Sequence, residues 1–169
     1  DFITFAGNGE PTLAKNLGDM IREIKKIRSE KIAVITNASL IDRKDVRADL
    51  SLADLVIAKM DACTEDALYA INHPASGIMF KNIFEGLRSF RKHFGGQLAL
   101  QIMFVKFNKD LAGDIAALAL KIKPDEVEVN TPLRASKEMP LSPEEMTEIT
   151  KVVRQVCGTI PVKSVYEMQ

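Results

Sequence analysis

Two glycines, one carboxylate and a proline separate the first apolar run of the chain from its first helix, in Phe5-Ala6-Gly7-Asn8-Gly9-Glu10-Pro11-Thr12-Leu13. The run Phe2 to Ala6 reads as a buried strand, and an amphipathic helix begins near Leu13. Glycine permits positive φ and lets a ligand come close to the main chain. Proline fixes its own φ and has no N–H, which keeps the turn from relaxing into helix before Thr12. A strand that stops at such a turn, with one Glu at its C-terminal end, builds a ligand site in any β/α sheet or barrel. The Gly7 and Gly9 carbonyls, unpaired beside the Glu10 carboxylate, suit a bound ammonium group. An amide at position 10 would keep the shape of the turn.

Downstream, apolar residues alternate between two periods. Leu13, Leu17, Met20, Ile21, Ile24 and Ile27 mark one helical face, and Ile32 to Thr36 is a β-branched strand. A short helix over 43–50, a strand over 55–60, and helices over 64–71 and 79–94 follow. Next come a strand over 98–105, a helix over 111–122, and the strand Glu126 to Asn130, whose polar residues alternate. Ser142-Pro143-Glu144-Glu145 is a capping box with proline at the first helical position, opening a helix that ends at Cys157-Gly158. Val162 to Val165 forms a last strand. Repeated β-α units predict a parallel sheet with right-handed crossovers in one domain, residues 1–169. Periodicity alone leaves an open doubly wound sheet and a barrel both standing.

Charge and cysteine usage exclude several classes. Formal net charge is zero, which removes the electrostatic case for general nucleic-acid or anionic-membrane binding. No apolar run approaches the roughly 20 residues of a bilayer span, and no signal peptide is expected ahead of the first strand. The expectation is a cytoplasmic protein with reduced thiols. Cys63 and Cys157 lie far apart and make no ligand spacing. Neither Cys63, with no nearby His, nor Cys157, near a helix C-terminus, reads as a nucleophile. His73 and His93 read as structural or surface residues. Gly7-x-Gly9-x-x-Thr12 lacks the third glycine of a dinucleotide turn, and the chain has no P-loop.

Polar residues gather where the strands end: Glu10, Thr36-Asn37, Lys59 with Asp61, Gln101, Asn108, and Asn130-Thr131 with Arg134. In a β/α architecture these endings converge on one rim. Lys59 and Asp61, two residues apart, share a strand face and are expected to pair.

Taken in order, these endings resemble a known family. Gly7-Asn8-Gly9-Glu10-Pro11 resembles the Gly-Gly-Glu-Pro element of radical S-adenosylmethionine enzymes, in the Gly-x-Gly-Glu-Pro-Thr-Leu form of some iron–sulfur oxidoreductase branches. Thr36-Asn37 resembles the Thr-Asn-Gly ending of their third strand, with Ala38 in place of glycine. Asp61-Ala62 is similar to the polar ending of the fourth strand near the cofactor's ribose and methionine, where Lys59 replaces the commoner Ser. Asn72-His73-Pro74 resembles a loop-shaping Asn-x-Pro. Phe107-Asn108-Lys109-Asp110 is similar to a Gly-x-Asn-Asp turn without its glycine, and Asn130 to Arg134 resembles the sixth-strand ending.

The resemblance implies a partial (β/α) TIM-like barrel lacking its first strand, with the chain opening in mid-strand as an N-terminally truncated domain. The exposed sheet edge would favour a homo-oligomer. By resemblance, Gly7, Gly9 and Glu10 hold the amino group of S-adenosylmethionine, while Thr36, Asn37, Lys59 and Asp61 line the cofactor pocket. Gln101, Asn108, Asn130 and Arg134 are candidates for substrate or cofactor contact, Arg134 toward a carboxylate or another anion. The family's Cys-x-x-x-Cys-x-x-Cys loop, which holds a [4Fe–4S] cluster, is absent here, so that cluster is expected in an intact parent only. The rivals are a non-catalytic, cluster-less α/β module that binds a ligand or partner, and a barrel phosphate-binding protein, disfavoured because Glu10 would repel phosphate.

Overall fold

A computed structural model of the protein describes residues 1–133 and 138–167. Six strands, β1 (Phe2–Phe5), β2 (Lys31–Thr36), β3 (Leu55–Lys59), β4 (Gln97–Met103), β5 (Glu126–Asn130) and β6 (Val162–Ser164), form one sheet. Their spatial order is the sequence order, and every pair is parallel. That order decides between the two architectures the sequence left standing. A doubly wound sheet must reverse its strand order to place helices on both faces. Right-handed crossovers that always step the same way place all helices on one face and curl the sheet toward a barrel. The six strands stay open, as a partial barrel.

The helices are α1 (Leu17–Ile27), α2 (Lys44–Leu50), α3 (Glu65–Asn72), α4 (Phe80–His93), α5 (Ala112–Ile122) and α6 (Pro143–Cys157). Val34, Val56, Leu98, Leu100, Ile102, Val127 and Val129 are fully buried in the core they cover. On the opposite, concave face, the side chains are Ala99, which is buried, and mostly half-covered residues that become polar toward the C-terminal rim. Ile35 lies opposite Ile57, and Ile57 opposite Ala99; the next row is Lys59, Gln101, Glu128 and Lys163.

The α6 capping box forms as expected, with Ser142 Oγ accepting from Glu145 N and Glu145 Oε2 accepting from Ser142 N. Two expectations at the start of the chain are corrected. β1 is an edge strand paired only with β2 among the described residues, and Phe2 is 42% exposed. An apolar run is buried only where both its faces are covered. Leu13 does not begin the helix; Pro11–Leu13 is a separate 3₁₀ turn, Leu13 is exposed, and α1 starts at Leu17.

At the N-terminal rim, aspartates clamp the strand starts. Asp54 Oδ2 accepts from Ile32 N at 2.8 Å, and Asp125 Oδ2 accepts from Leu98 N at 2.8 Å. Partial burial pushes the Asp54 carboxyl up, but the Ile32 N–H and the Lys25 ammonium outweigh it and hold the group below its ordinary value. A lowered folded-state value contributes stability that is present above the unfolded value near 3.8 and lost as pH falls through the folded one. Asp54→Asn is therefore expected to flatten the loss of stability below about pH 4, measured by denaturant unfolding across pH. An acid limb identical to wild type would show that Asp54 carries none of it.

Candidate functional site

The turn after β1 is held by its own carboxylate. Glu10 Oε1 accepts from Thr12 N at 3.1 Å, Thr12 Oγ1 at 2.7 Å and Thr36 Oγ1 at 2.5 Å. Its Oε2 accepts from Asn37 N at 2.7 Å. Glu10 thus caps the 3₁₀ turn and ties it to the end of β2. Gly7 and Gly9 do not use positive φ. A Cβ built on either would meet nothing within 4 Å. Neither the backbone conformation nor the packing of the chain demands glycine there, and the space beside these residues is open to an approaching group.

Thr36 is buried, donates to Glu10 and accepts from Ala38 N at 3.0 Å. Ala38, which follows where the resembled ending has glycine, takes a left-handed φ of 61° and is buried.

At the end of β3, Asp61 is buried with its side chain 1% exposed. Its Oδ1 accepts from Met103 N at 2.8 Å, and its Oδ2 accepts from Asn72 Nδ2 at 2.7 Å. Lys59 Nζ lies 3.3 Å from the same Oδ2, which forms the expected pair. Asn108 is fully buried. It donates from Nδ2 to the main-chain oxygens of Asp61 and Met103, and accepts at Oδ1 from Val105 N. These bonds knit the ends of β3 and β4 together.

Two cavities open on this rim. The first, of about 480 Å³, is lined by Glu10, Asn37, Lys59 and Asp61 on its polar side and by Leu13, Leu40, Met60 and Ile78 on its apolar side. The second, of about 840 Å³, is lined by Lys59, Asp61, Gln101 and Asn130 among others. Asn72 and His73 contribute to both. Four of the sequence-derived residues therefore meet in one cavity and two more in its neighbour. Thr36 and Asn108 are enclosed behind them, and Arg134 lies outside the described residues.

Sequence reasoning missed the wall that Asn72 and His73 build. The only signal was Asn72-His73-Pro74, read as loop-shaping; the left-handed φ of 45° at His73 turns the chain back over the rim.

Among the described residues, no group of three or more His, Cys, Asp or Glu could hold a metal ion. Burial pushes both thiols up, with Asp114 adding to the effect at Cys63. A raised thiol is a poor ligand and a poor nucleophile. No helix among the described residues is long and apolar enough to cross a membrane.

The fold is that of radical S-adenosylmethionine enzymes. The chain superposes with a TM-score of 0.77 on TYW1 with a lysine-pyruvate adduct bound, at 19% identity, covering 92% of this chain and 50% of that one. Streptococcus suis SuiB bound to S-adenosylmethionine gives 0.73 at 13% identity over 96% of this chain and 39% of SuiB. A radical SAM methyltransferase from Sphaerobacter thermophilus gives 0.65 at 18% identity over 96% of this chain and 50% of that one. No family model matches the sequence. In sequence the chain is similar to a UPF0026 protein of Synechocystis, at 41% identity over 79% of this chain and 51% of the relative. It is 40% identical to a GTPase Obg of Brachyspira hyodysenteriae over 94% of this chain and 24% of that protein. A UPF0026 protein of Methanocaldococcus jannaschii is 34% identical over 90% of this chain and 48% of the relative. The chain thus spans about half the length of the UPF0026 proteins it matches.

The hydrogen bonds around Glu10 add a stability cost to the expectation that an amide would keep the shape of the turn. A glutamine must turn its NH₂ toward either the Asn37 N–H or the three donors on Oε1, setting donor against donor. Glu10→Gln is expected to lower unfolding free energy by about 1–3 kcal/mol, read by denaturant titration. An unchanged midpoint and slope would show that these bonds contribute nothing net.

Proposed function

We propose that this chain is the S-adenosylmethionine-binding part of a radical enzyme. The observation that carries the reading is one cavity faced by a carboxylate, Glu10, and by the Lys59 ammonium, which the buried Asp61 carboxylate holds at 3.3 Å, at the ends of parallel strands. An amino-acid head group carries the complementary pair of charges. Its ammonium would meet the open main chain at Gly7 and Gly9 beside Glu10, and its carboxylate would meet Lys59, with Asn37 between them. The apolar side of the cavity, from Leu13 to Ile78, would cover the remainder and exclude water. A volume of about 480 Å³ lies inside the usual range for small-molecule sites, roughly 300–1,000 Å³. The fold shared with SuiB bound to S-adenosylmethionine supports the same reading.

In such enzymes the cofactor supplies a 5′-deoxyadenosyl radical for hydrogen abstraction. The part of this chain is to bind, orient and dry the cofactor. Its residues do not fit the iron–sulfur cluster that delivers the electron, because Cys63 and Cys157 stand on separate elements with raised thiols. That observation also favours a second reading, a ligand-binding module that works without a cluster. We place the protein in the cytoplasm, where both thiols stay reduced.

Two measurements test these readings. The 169-residue chain, reconstituted anaerobically with iron and sulfide, is expected to bind no stoichiometric [4Fe–4S] cluster, since three grouped thiolates are wanting. A broad absorbance near about 400 nm with four irons per chain, abolished by replacing Cys63 or Cys157, would overturn the ligand argument.

In the full-length protein that carries this chain, Lys59→Met is expected to weaken S-adenosylmethionine binding by about 10- to 100-fold, the loss of one charge-assisted contact. Calorimetric titration with melting curves run alongside measures it. Equal affinities in the two proteins would remove Lys59 from the site, and no saturable binding in either would remove the cofactor reading.

A further inference from the structure

Asn8 and Gly9 form the tip of the loop between β1 and the 3₁₀ turn at Pro11–Leu13, and both are exposed. Among the described residues, no hydrogen bond holds the Asn8 carboxamide or the Gly9 main-chain N–H. That leaves a free nucleophile beside a free electrophile, since bonding the Gly9 nitrogen to Asn8 Cγ closes a five-membered ring. Ring closure between neighbouring residues avoids the cost of bringing separate molecules together. Glycine at position 9 puts no Cβ in the way of the approach.

The other asparagines lack this combination. Each is followed by a residue that carries a Cβ. After Asn16, Asn82 and Asn108 the next nitrogen already donates, to the main-chain oxygens of Ala14, Met79 and Val105. Ala38 N, after Asn37, donates to Thr36 Oγ1, and the Asn72 carboxamide is tied to Asp61. Asn130 Oδ1 is buried. The fold itself does not ask for glycine at position 9, because its φ is not positive and a Cβ there would meet nothing within 4 Å.

We propose that Asn8 is a site of spontaneous deamidation, a covalent change at the edge of the candidate cofactor site. The Gly9 nitrogen bonds to Asn8 Cγ, the Cγ–Nδ2 bond breaks, and the Gly9 proton leaves with Nδ2 as ammonia. Water then opens the succinimide at one carbonyl or the other, giving aspartate or isoaspartate. Water is the co-reactant, and nothing is oxidised or reduced. Either product places a new negative charge two residues from Glu10. Isoaspartate also inserts an extra carbon into the main chain between residues 8 and 9. Glu10 keeps its own bonds, which run to Thr12, Thr36 and Asn37. The Gly7 and Gly9 carbonyls, on either side of the change, lose their relative placement. The loss of ligand affinity that follows rests on the cofactor reading above; the modification does not.

The test holds full-length protein carrying this chain in neutral buffer at physiological temperature and samples it over weeks. Peptide mapping by mass spectrometry is expected to show a gain of about 1 Da in the segment containing Asn8, at least about tenfold faster than at any other asparagine. Isoaspartate is expected to be the larger of the two chromatographically separated products. Asn8→Gln, which would need a six-membered ring, and Gly9→Ala, which sets a Cβ beside the attacking nitrogen, are each expected to slow the gain by about tenfold or more. Aged wild type is expected to keep its melting midpoint within about 2 °C. It is expected to bind S-adenosylmethionine about tenfold more weakly than fresh protein, while aged Asn8→Gln binds as it did when fresh.

No mass gain at Asn8, an equally fast gain at another asparagine, or an undiminished rate in both variants would each overturn the proposal. A mass gain with unchanged affinity overturns the link to the site. Absence of saturable S-adenosylmethionine binding in fresh protein sinks the cofactor reading instead, and the mass gain at Asn8 then stands without it.

Discussion

The buried carboxylate of Asp61 is the interaction on which the rim of this sheet depends. A charge with a side-chain exposure of 1% persists only if donors surround it. The three that do so come from three elements: the main chain at the end of β4, Asn72 at the end of α3, and Lys59 at the end of β3. The main-chain oxygen of Asp61 then takes Asn108 from the next loop. A buried ion pair is weak evidence for net stability, but it specifies geometry strongly. Here it fixes where β3 and β4 stop, where α3 stops, and where the Lys59 ammonium stands.

Glu10 does the same for the first two strands, at a more open position. Its four protein donors hold the turn after β1 against the end of β2. The two carboxylates thereby fix opposite sides of one cavity. At the other rim, Asp54 and Asp125 accept N–H groups from the strand starts. A carboxylate can satisfy several unpaired backbone donors at once, and acidic side chains do so at both rims of this sheet. On the C-terminal rim, Glu10 and Asp61 line one cavity together with the Lys59 ammonium.

Among the described residues, left-handed backbone at non-glycine positions occurs at Ala38, His73 and Lys123, the first two on that rim. Ala38 and His73 both take left-handed φ values, and His73 does so immediately before Pro74, where the α regions are disfavoured. The Ala38 methyl is buried in the core, which offsets part of the cost. Strain of this kind is retained where surrounding contacts over-determine it. The Thr36 and Asn72 side chains supply those contacts, through Ala38 N and Asp61 respectively.

The sequence by itself determined the order of strands and helices, because apolar spacing, the Thr64 and Ser142 caps, and Gly158 act over a few residues. It also marked Glu10, Asn37, Lys59 and Asp61, since strand ends in β/α folds meet on one rim. Only the tertiary structure decided that the sheet is singly wound and open, because strand order is set by contacts between residues far apart in the chain. The same holds for the one-sided burial of β1, for the enclosure of Asn108, and for the cavity that Gln101 and Asn130 line. Each depends on what lies across the sheet, and a side chain's local pattern carries no record of its distant neighbours.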